Sequence, residues 1–282
     1  MPYTNTFEML KKAQRENYAV CAFNAENMEM VQAIVSAAEQ LSAPVIIQTT
    51  PSTVKYASLY YFSAMAKTAA KTATVPVALH LDHGDSFALA CQAIRAGYSS
   101  VMIDGSKFPF EQNVQLTAKV AEVAKTVSIP VEGELGCVGG KEDDSSASGG
   151  GYTDPEEAGL FVCSTGVDSL AIGIGTAHGF YTEKPVLDVD RLSQIREVVS
   201  VPLVLHGATG LSDEIVIECI RRGICKVNFA TELRSEYTKA VRKTLEQDSA
   251  AVDVKIYNKA ARQAVMEIAI KKIKISGSAN KA

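Results

Sequence analysis

The sequence predicts an α/β fold in which eight parallel β-strands, alternating with helices, close into a (β/α)8 barrel. Short apolar runs recur along the 282 residues, and segments with helical spacing lie between them. Eight such runs are present, and eight parallel strands close this kind of barrel. The predicted strands occupy residues 19–23, 44–48, 76–81, 100–103, 129–133, 169–174, 202–206 and 224–229.

Proline and helix-boundary signals support the order of these elements. Four strands have a proline at or beside their start, where a missing N–H costs no ladder hydrogen bond: Pro44, Pro76, Pro130 and Pro202. Helices are predicted between strands at residues 28–41, 87–96, 113–126, 156–165 and 214–222. The last of these ends at the stop signal Arg221-Arg222-Gly223. Two more helices, at residues 6–16 and 260–273, are not needed for closure and are expected to cap the barrel or form oligomer contacts.

Length and composition indicate one globular domain, residues 1–282, because barrels of this class often reach about 250 residues or more. Hydrophobic residues make up 47% of the chain and charged residues 21%, which is typical of a soluble protein with a large core. The formal net charge of −4 gives no general attraction to nucleic acid or to an anionic membrane. A bound phosphate must therefore be held locally.

The six cysteines form no CxxC or CxxxC pair, so the sequence predicts neither a zinc ribbon nor a disulfide framework. No apolar signal core is present at the start, and no apolar run reaches the roughly 18 residues of a membrane span. We therefore expect a cytoplasmic protein.

One long connection, GCVGGKEDDSSASGGGYTDP at residues 136–155, is rich in Gly, Ser and Asp and almost free of apolar side chains. It is longer than an ordinary connection between a strand and a helix, so it is predicted to be a mobile active-site loop. Glu142 lies on this loop, where it could act as a base after substrate binds.

Polar residues follow the predicted strands at their carboxyl ends, where barrels of this class hold their reactive groups. These residues are Asn24, Thr50, Asp82, His83, Asp104, Glu134, His178, His206 and Asn228. Three of the four histidines lie there beside glycine, in LDHG, TAHG and LHGATG. Three imidazoles with one open position form a catalytic zinc arrangement, which polarises a substrate oxygen.

Acidic residues beside these histidines complete the predicted site. Asp82 can exchange a proton with a substrate hydroxyl, and we expect it to face the wet mouth of the barrel. Asp104 and Glu134 are placed either to hold a second cation or to orient the histidines. His80 falls on the face of its strand opposite to His83 by alternation, so we expect it to be structural. The HLDH spacing on the third strand does not supply the His-x-His pair that an amidohydrolase-type barrel carries on its first strand.

Glycine-containing turns after the last three strands offer backbone N–H groups and hydroxyls to a phosphate. They are HGFYTEKP, HGATGLSD and VNFATE, with Thr209 and Thr231 as hydroxyl donors. A metal, a phosphate site and a mobile acid predict a reaction in which a carbonyl is polarised and a neighbouring carbon gains or loses a proton or a bond. No lysine at a strand end suggests a Schiff base, and alternation could direct Lys226, inside the last strand, outward.

Six motifs in one order resemble the class II, metal-dependent ketose-bisphosphate aldolases: LHLDHG, SVMIDGS, VEGELGCVGGKEDD, GTAHG, PLVLHGATGL and KVNFATELR. The resemblance runs from AFN near residue 22 to the GSANKA tail. It implies a barrel lyase with one Zn²⁺ per subunit at His83, His178 and His206, and a monovalent cation near Asp104 and Glu134. It also implies sugar-phosphate substrates, a homodimer or homotetramer and, in some family complexes, an accessory subunit.

The resemblance also implies roles within the site. Asp82 matches the acid/base at the C4 hydroxyl, Glu142 the loop residue that deprotonates dihydroxyacetone phosphate, and Asn228 the residue that supports the enediolate. The implied substrate-binding positions are Asn24, Thr50, Gly179, Gly207, Ala208, Thr209, Ala230 and Thr231. Lys184 and Arg262 are the candidates for the second phosphate, and either could instead be a surface charge.

Two sets of motifs bear on the substrate within this family. NFATEL with Ala230, together with TAHG, resembles tagatose-1,6-bisphosphate aldolases, whereas fructose enzymes often carry Asn-x-Asp-Thr or Asn-x-Asn-Thr. LDHGDSF, with Gly84 where tagatose enzymes often have His, and GSANKA favour a fructose enzyme. We predict reversible cleavage of D-tagatose 1,6-bisphosphate to dihydroxyacetone phosphate and glyceraldehyde 3-phosphate.

Fructose 1,6-bisphosphate and other ketose phosphates are the alternative substrates. Two other classes of function are a non-catalytic aldolase subunit and a metal-dependent hydrolase barrel. The first is disfavoured because no expected zinc or acid residue is missing from the sequence. The second would hydrolyse a phosphoester without cleaving a C–C bond.

Overall fold

The computed structural model describes residues 2–142, 145–147, 151–181 and 185–282, and the side chains of residues 141–142 and 145–147 lie outside the description. In this part of the chain, eight parallel strands close a barrel in the spatial order β1-β11-β10-β8-β5-β4-β3-β2. The barrel strands are β1 (Val20–Asn24), β2 (Val45–Thr49), β3 (Val77–Gly84), β4 (Ser100–Ile103), β5 (Val131–Leu135), β8 (Ser169–Ile172), β10 (Leu203–Leu205) and β11 (Ile224–Phe229). The predicted (β/α)8 class is confirmed.

All eight predicted strands correspond to barrel strands, with ends displaced by at most three residues. In the described part of the chain, three short strands lie outside the barrel: β6 (Gly139–Glu142), β7 (Ser145–Ala147) and β9 (Ala177–His178). The described helices are α1 (Thr6–Glu16), α2 (Met28–Gln40), α3 (Pro51–Ala57), α4 (Leu59–Thr72), α5 (Phe87–Ala96), α6 (Phe110–Lys125), α7 (Pro155–Thr165), α8 (Val189–Val198), α9 (Asp213–Arg221), α10 (Thr231–Gln247) and α11 (Val254–Ile275).

Four of these helices, α3, α4, α8 and α10, were not specified by the sequence patterns. In α10 the apolar stripe that marks a core-facing helix is nearly absent, because Leu233 is its only fully buried residue among those described. In α3 the proline at its first position and the Thr50 cap are the only strong local signals. α3, α4 and α8 lie in the crossovers that parallel strands require, whereas α10 follows the last strand and packs against α11.

The two helices outside the predicted βα units have different positions. α1 buries Met9, Leu10 and Ala13 in one cluster with barrel-lining residues of β1, β2 and β3, including Ile46 and Ala78. It therefore closes the amino-terminal end of the barrel, as the capping prediction requires. α11 is longer than predicted and packs on the outside against α2 and α10.

The apolar core lies in two places. One large cluster fills the space between the strands and the surrounding helices, with Phe23, Phe62 and Phe161 among its fully buried members. The barrel interior is apolar at its amino-terminal end, whereas polar and charged side chains fill its carboxyl-terminal half. In the described ranges, no helix has both the length and the apolar character needed to cross a membrane.

Candidate active site

A break in strand alternation at the end of β3 brings two reactive side chains to the same site. His80 and Asp82 follow the alternation and are both buried inside the barrel. His83 has a left-handed backbone, with φ of +47°, and the β3–β4 register shifts between Leu81 and Gly84. This β-bulge turns the His83 side chain toward the same side of the strand as Asp82, whereas regular alternation would place it on the opposite side.

Three histidines converge at the mouth of the barrel from β3, β9 and the end of β10. Each of His83, His178 and His206 offers a ring nitrogen within 4.8 Å of the other two. His83 Nε2 lies 2.8 Å from His206 Nδ1, and the His83 ring is perpendicular to the His178 ring. The structure therefore brings together the three residues that the sequence predicts as metal ligands, in a set suited to a divalent ion that favours nitrogen.

Two carboxylates determine which ring nitrogen of His83 and of His206 faces the cluster. Asp104 Oδ2 accepts a hydrogen bond from His83 Nδ1 at 2.9 Å, and Glu132 Oε1 accepts one from His206 Nε2 at 2.9 Å. The protons are thereby held on the outer nitrogens, so His83 Nε2 and His206 Nδ1 present lone pairs to each other. Such converging lone pairs fit a bound cation.

Asp104 and Glu134 form a second group with His83, with donor atoms within 4.8 Å of one another. Burial would raise the pKa of Asp104, but the hydrogen bonds from His83 and from the Ser106 backbone N–H hold that pKa well below its usual range. Glu134 Oε2 lies 3.8 Å from His83 Nδ1 and from His206 Nδ1. Asp104 thus orients a histidine, and the same carboxylates also offer oxygen ligands to a second cation.

Asp82 is buried, which corrects the expectation that it faces a wet mouth: its exposed fraction is 1%. Three side-chain amides take the place of water. Asn24 Nδ2 and Gln48 Nε2 donate to Oδ2 at 2.9 and 3.1 Å, and Asn228 Nδ2 donates to Oδ1 at 3.1 Å. A buried carboxylate with such donors is stabilised in its charged form, because hydrogen bonds replace its hydration.

Asn228 lies between Asp82 and the histidine cluster. Its Nδ2 also lies 3.2 Å from His206 Nε2, but both nitrogens carry protons when Nε2 donates to Glu132, so Asp82 is the acceptor. Asn228 Oδ1 is buried and has no hydrogen-bond partner within the described structure. An unused acceptor of this kind suits a hydroxyl of a bound substrate.

A small pocket next to His178 collects most of the predicted phosphate-binding positions. It is lined by Asn24, Gly179, Gly207, Ala208, Thr209, Asn228, Ala230, Thr231 and Arg234. Gly207 has φ of +66°, and a Cβ there would lie 2.7 Å from the Ala177 carbonyl oxygen, so only glycine fits this turn. Ala230 precedes α10 and gives it no side-chain cap, which leaves first-turn N–H groups for an anion.

A larger cleft of about 640 Å³ extends from His83 and His178 past Thr50. Two lysines that the sequence did not single out, Lys55 and Lys107, line it. Arg262 does not reach this cleft within one chain, because it lies on the outer helix α11 and donates to Gln32 Oε1 at 2.7 Å. The other candidate for the second phosphate, Lys184, lies outside the described residues.

The glycine-rich segment after β5 contains regular structure that its composition did not predict. β6 pairs with β7 in antiparallel fashion and with β9 in parallel, so Gly140 lies opposite His178. This three-stranded sheet attaches the segment to one of the three histidines. Glu142 ends β6, and its side chain is outside the description, so its predicted role as a base stays a prediction.

Sequence reasoning missed three polar residues inside the barrel. Gln48 supports Asp82, and Glu132 joins His206 to Lys226, whose Nζ lies 2.8 Å from Glu132 Oε2. The suggestion that Lys226 points outward is wrong, since it is fully buried in the interior. The signal was available in the strand alternation, because residues 226 and 228 must face the same side of β11.

The family of the chain can be decided by its match to known sequences. The family profile described as "Fructose-bisphosphate aldolase class-II" matches residues 4–281. The chain belongs to this family. The class II aldolases supply a lyase activity on sugar phosphates, in agreement with the predicted class of enzyme.

Solved structures give the same result. The chain is 38% identical to the YdjI aldolase from Escherichia coli K12, with 99% of each chain covered and a TM-score of 0.87. It is 30% identical to a Coccidioides immitis protein assigned as a fructose-1,6-bisphosphate aldolase, covering 99% of this chain and 98% of that one with a TM-score of 0.90. The fructose-bisphosphate aldolase of Campylobacter jejuni shares the fold, with 19% identity, coverage of 99% and 97% and a TM-score of 0.84.

Proposed function

We propose that this class II aldolase is zinc-dependent and reversibly cleaves D-tagatose 1,6-bisphosphate to dihydroxyacetone phosphate and glyceraldehyde 3-phosphate. The observation that carries the proposal is the convergence of His83, His178 and His206 beside a buried, amide-supported Asp82. Zinc held by the three histidines would supply a Lewis acid that polarises the substrate carbonyl. All other roles below belong to side chains of this chain.

Asp82 is suited to take the proton of the C4 hydroxyl when the C3–C4 bond breaks. Its carboxylate is fixed on both oxygens by amide donors, so it can hold one orientation toward the substrate. Asn228 adds a buried Oδ1 that can accept from a substrate hydroxyl. Glu142 is proposed to move the second proton, at C3 of dihydroxyacetone phosphate, from the segment after β5.

The pocket beside His178 is proposed to hold the phosphate of dihydroxyacetone phosphate. It combines the uncapped start of α10 with the Thr209 and Thr231 hydroxyls and the Arg234 guanidinium. Backbone N–H groups at a helix start and an arginine are both strong partners of a phosphate. The second phosphate is proposed to extend along the larger cleft toward Lys107 and Lys55.

The preference for tagatose rests on Ala230, which lines the phosphate pocket where fructose enzymes often have an acidic or amide residue. Gly84, which favours a fructose enzyme, is also required by the packing of this backbone. A Cβ at Gly84 would lie 2.4 Å from the Met102 carbonyl oxygen, so no larger side chain fits this backbone. The Gly84 position therefore continues to favour a fructose enzyme, and the proposal of a tagatose substrate rests on Ala230 and on TAHG.

The test is an aldol-cleavage assay on purified protein with D-tagatose and D-fructose 1,6-bisphosphate in parallel, before and after zinc removal with EDTA. We expect triose phosphate release that is faster from the tagatose substrate, that is lost with EDTA and that returns with Zn²⁺. Activity that survives complete zinc removal, or that persists in Asp82→Ala, would overturn the mechanism.

Two further outcomes separate the alternatives. Equal turnover of both sugars would show that Ala230 does not set the choice, and Ala230→Asp tests this directly because it should shift the ratio toward fructose. Release of inorganic phosphate without triose phosphate would identify a hydrolase instead.

A further inference from the structure

A buried ion pair crosses the inside of the barrel below the histidine cluster. Lys226 on β11 and Glu132 on β5 are 0% and 2% exposed, and Lys226 Nζ lies 2.8 Å from Glu132 Oε2. Their strands are separated in the barrel by β10 and β8, so the pair connects opposite parts of the wall. In the strand register Met102 lies next to Glu132 and Val204 next to Lys226, and these two residues form an apolar cluster with Ala171.

Stability alone is a weak explanation for this pair. Removing two ions from water costs several kcal/mol for each, and well-packed apolar residues of similar volume often stabilise a core as well or better. The pair is also not isolated, because the second oxygen of Glu132 accepts the Nε2–H of His206 at 2.9 Å. The ion pair therefore ends on a residue of the histidine cluster.

The neighbouring histidine does not replace Lys226 in this role. His80 Nε2 is 3.7 Å from Glu132 Oε2 and has no hydrogen-bond partner among the described residues, and its Nδ1 contacts the Ser100 hydroxyl. Burial, followed by the charge of Lys226, keeps the pKa of His80 well below its ordinary value, so His80 is a neutral neighbour. Within the described residues, Lys226 is the charged group bonded to Glu132.

We propose that Lys226 is a positioning residue that acts through Glu132 to hold His206 in one tautomer, with its proton on Nε2 and its Nδ1 lone pair toward His83 and His178. Lys226 holds one carboxylate oxygen in place, and the other is then fixed as an acceptor for His206. The inference rests on the proposed metal role of the histidines. Partners of ligands at this distance typically change metal affinity about 10- to 100-fold when they are lost.

The experiment compares Lys226→Met with wild-type protein in two measurements. Zinc affinity is measured by competition with a chromophoric chelator, on protein shown to be folded by circular dichroism. The His206 tautomer is measured by ¹⁵N NMR of the imidazole nitrogens in metal-free protein. We expect zinc affinity to fall about 10- to 100-fold and the single Nε2–H tautomer to become a mixture.

A matched control is Lys272→Met. Lys272 is also largely buried and pairs with Glu232 at 2.7 Å, but its pair joins α11 to α10 outside the barrel. Its loss removes a buried ion pair without touching a carboxylate that faces a histidine, so zinc affinity and the His206 tautomer should stay at wild-type values. A fall equal to that of Lys226→Met would assign the effect to general loss of stability and overturn the inference.

Two results would contradict the proposal directly. If folded Lys226→Met kept wild-type zinc affinity and an unchanged His206 tautomer, the Lys226–Glu132 pair would have only a structural role. Where the single variant does not fold, Lys226→Met combined with Glu132→Gln removes both charges, and wild-type affinity in the double variant would have the same meaning. Because the tautomer is measured without metal, it tests this inference even if wild-type protein bound no zinc, a result that would instead refute the proposed function.

Discussion

The two halves of the barrel interior are built from different interactions. The amino-terminal half packs Val20, Ala22, Ile46 and Ala78 against α1 in one apolar cluster. The carboxyl-terminal half holds a connected set of polar side chains: Asn24, Gln48, Asp82, Glu132, His206, Lys226 and Asn228. One interior therefore separates an apolar region that stabilises the fold from a polar region that holds the candidate site residues, in agreement with the general division of barrels of this class.

The largest effect that tests this division is expected at Asp82. Asp82→Asn keeps the shape of the side chain but removes the base, so kcat should fall about 10²- to 10⁴-fold. Zinc content should stay at the wild-type level, because Asp82 does not belong to the proposed zinc ligands, His83, His178 and His206. Steady-state cleavage kinetics and metal analysis check both, and a fall of less than about tenfold would remove Asp82 from the reaction.

Next in size is a matched pair of variants on one strand. Ile46 and Gln48 both point from β2 into the barrel interior, where Ile46 lies in the apolar half and Gln48 in the polar half. Ile46→Ala should lower the free energy of unfolding by about 2–5 kcal/mol, because it leaves a cavity. Its kcat per folded molecule should be unchanged.

Gln48→Ala should show the opposite balance. It removes one amide donor from Asp82, so kcat should fall about 10- to 100-fold, in line with about 1.5–3 kcal/mol for a hydrogen bond to a charged group. Denaturant unfolding and kinetics on both proteins give the comparison. Equal losses of activity in the two variants would mean that the halves are not functionally separate.

A smaller effect is expected in the larger cleft. Lys107→Met should raise KM for the ketose bisphosphate several-fold with little change in kcat, because an exposed ion pair contributes about 0–1 kcal/mol. Lys55→Met is the comparison at the same cleft. Unchanged KM in both variants would exclude the proposed path of the second phosphate.

The smallest expected effect is a difference in thiol reactivity, which tests whether α1 closes the amino-terminal end of the barrel. Burial raises the pKa of Cys225 to about 11, and this residue belongs to the apolar cluster under α1. At pH 8 only roughly a thousandth of such a thiol is ionised. Cys163 is exposed, so a thiol reagent should label it first and reach Cys225 only on unfolding. Rapid labelling of Cys225 in folded protein would show that the amino-terminal end is open.

The sequence predicts the barrel and most of its strands because apolar runs and helical spacing are local signals. Polar residues at strand ends are also local, which explains why the histidines and Asp82 can be found without coordinates. The partners of these residues are not local. Gln48, Glu132 and Lys226 come from three different strands and become neighbours only when the barrel closes.

The environment of Asp82 shows the same limit. Its position after an apolar strand suggests contact with water, but whether water or amides surround it depends on which side chains the neighbouring strands bring inward. Asn24 and Gln48 are opposite each other in the β1–β2 register, and that pairing decides the outcome. The position of Arg262 is likewise set by the packing of α11, which spacing along the sequence does not reveal.

The left-handed backbone at His83 sets folding stability against the placement of a candidate metal ligand. A non-glycine residue in that conformation carries a cost of roughly 1–2 kcal/mol. His83→Gly would relieve this cost at the same time as it removes a candidate ligand. The conformation that brings the His83 ring to the cluster thus lowers folding stability, and the hydrogen bond from Nδ1 to Asp104 offsets part of that cost.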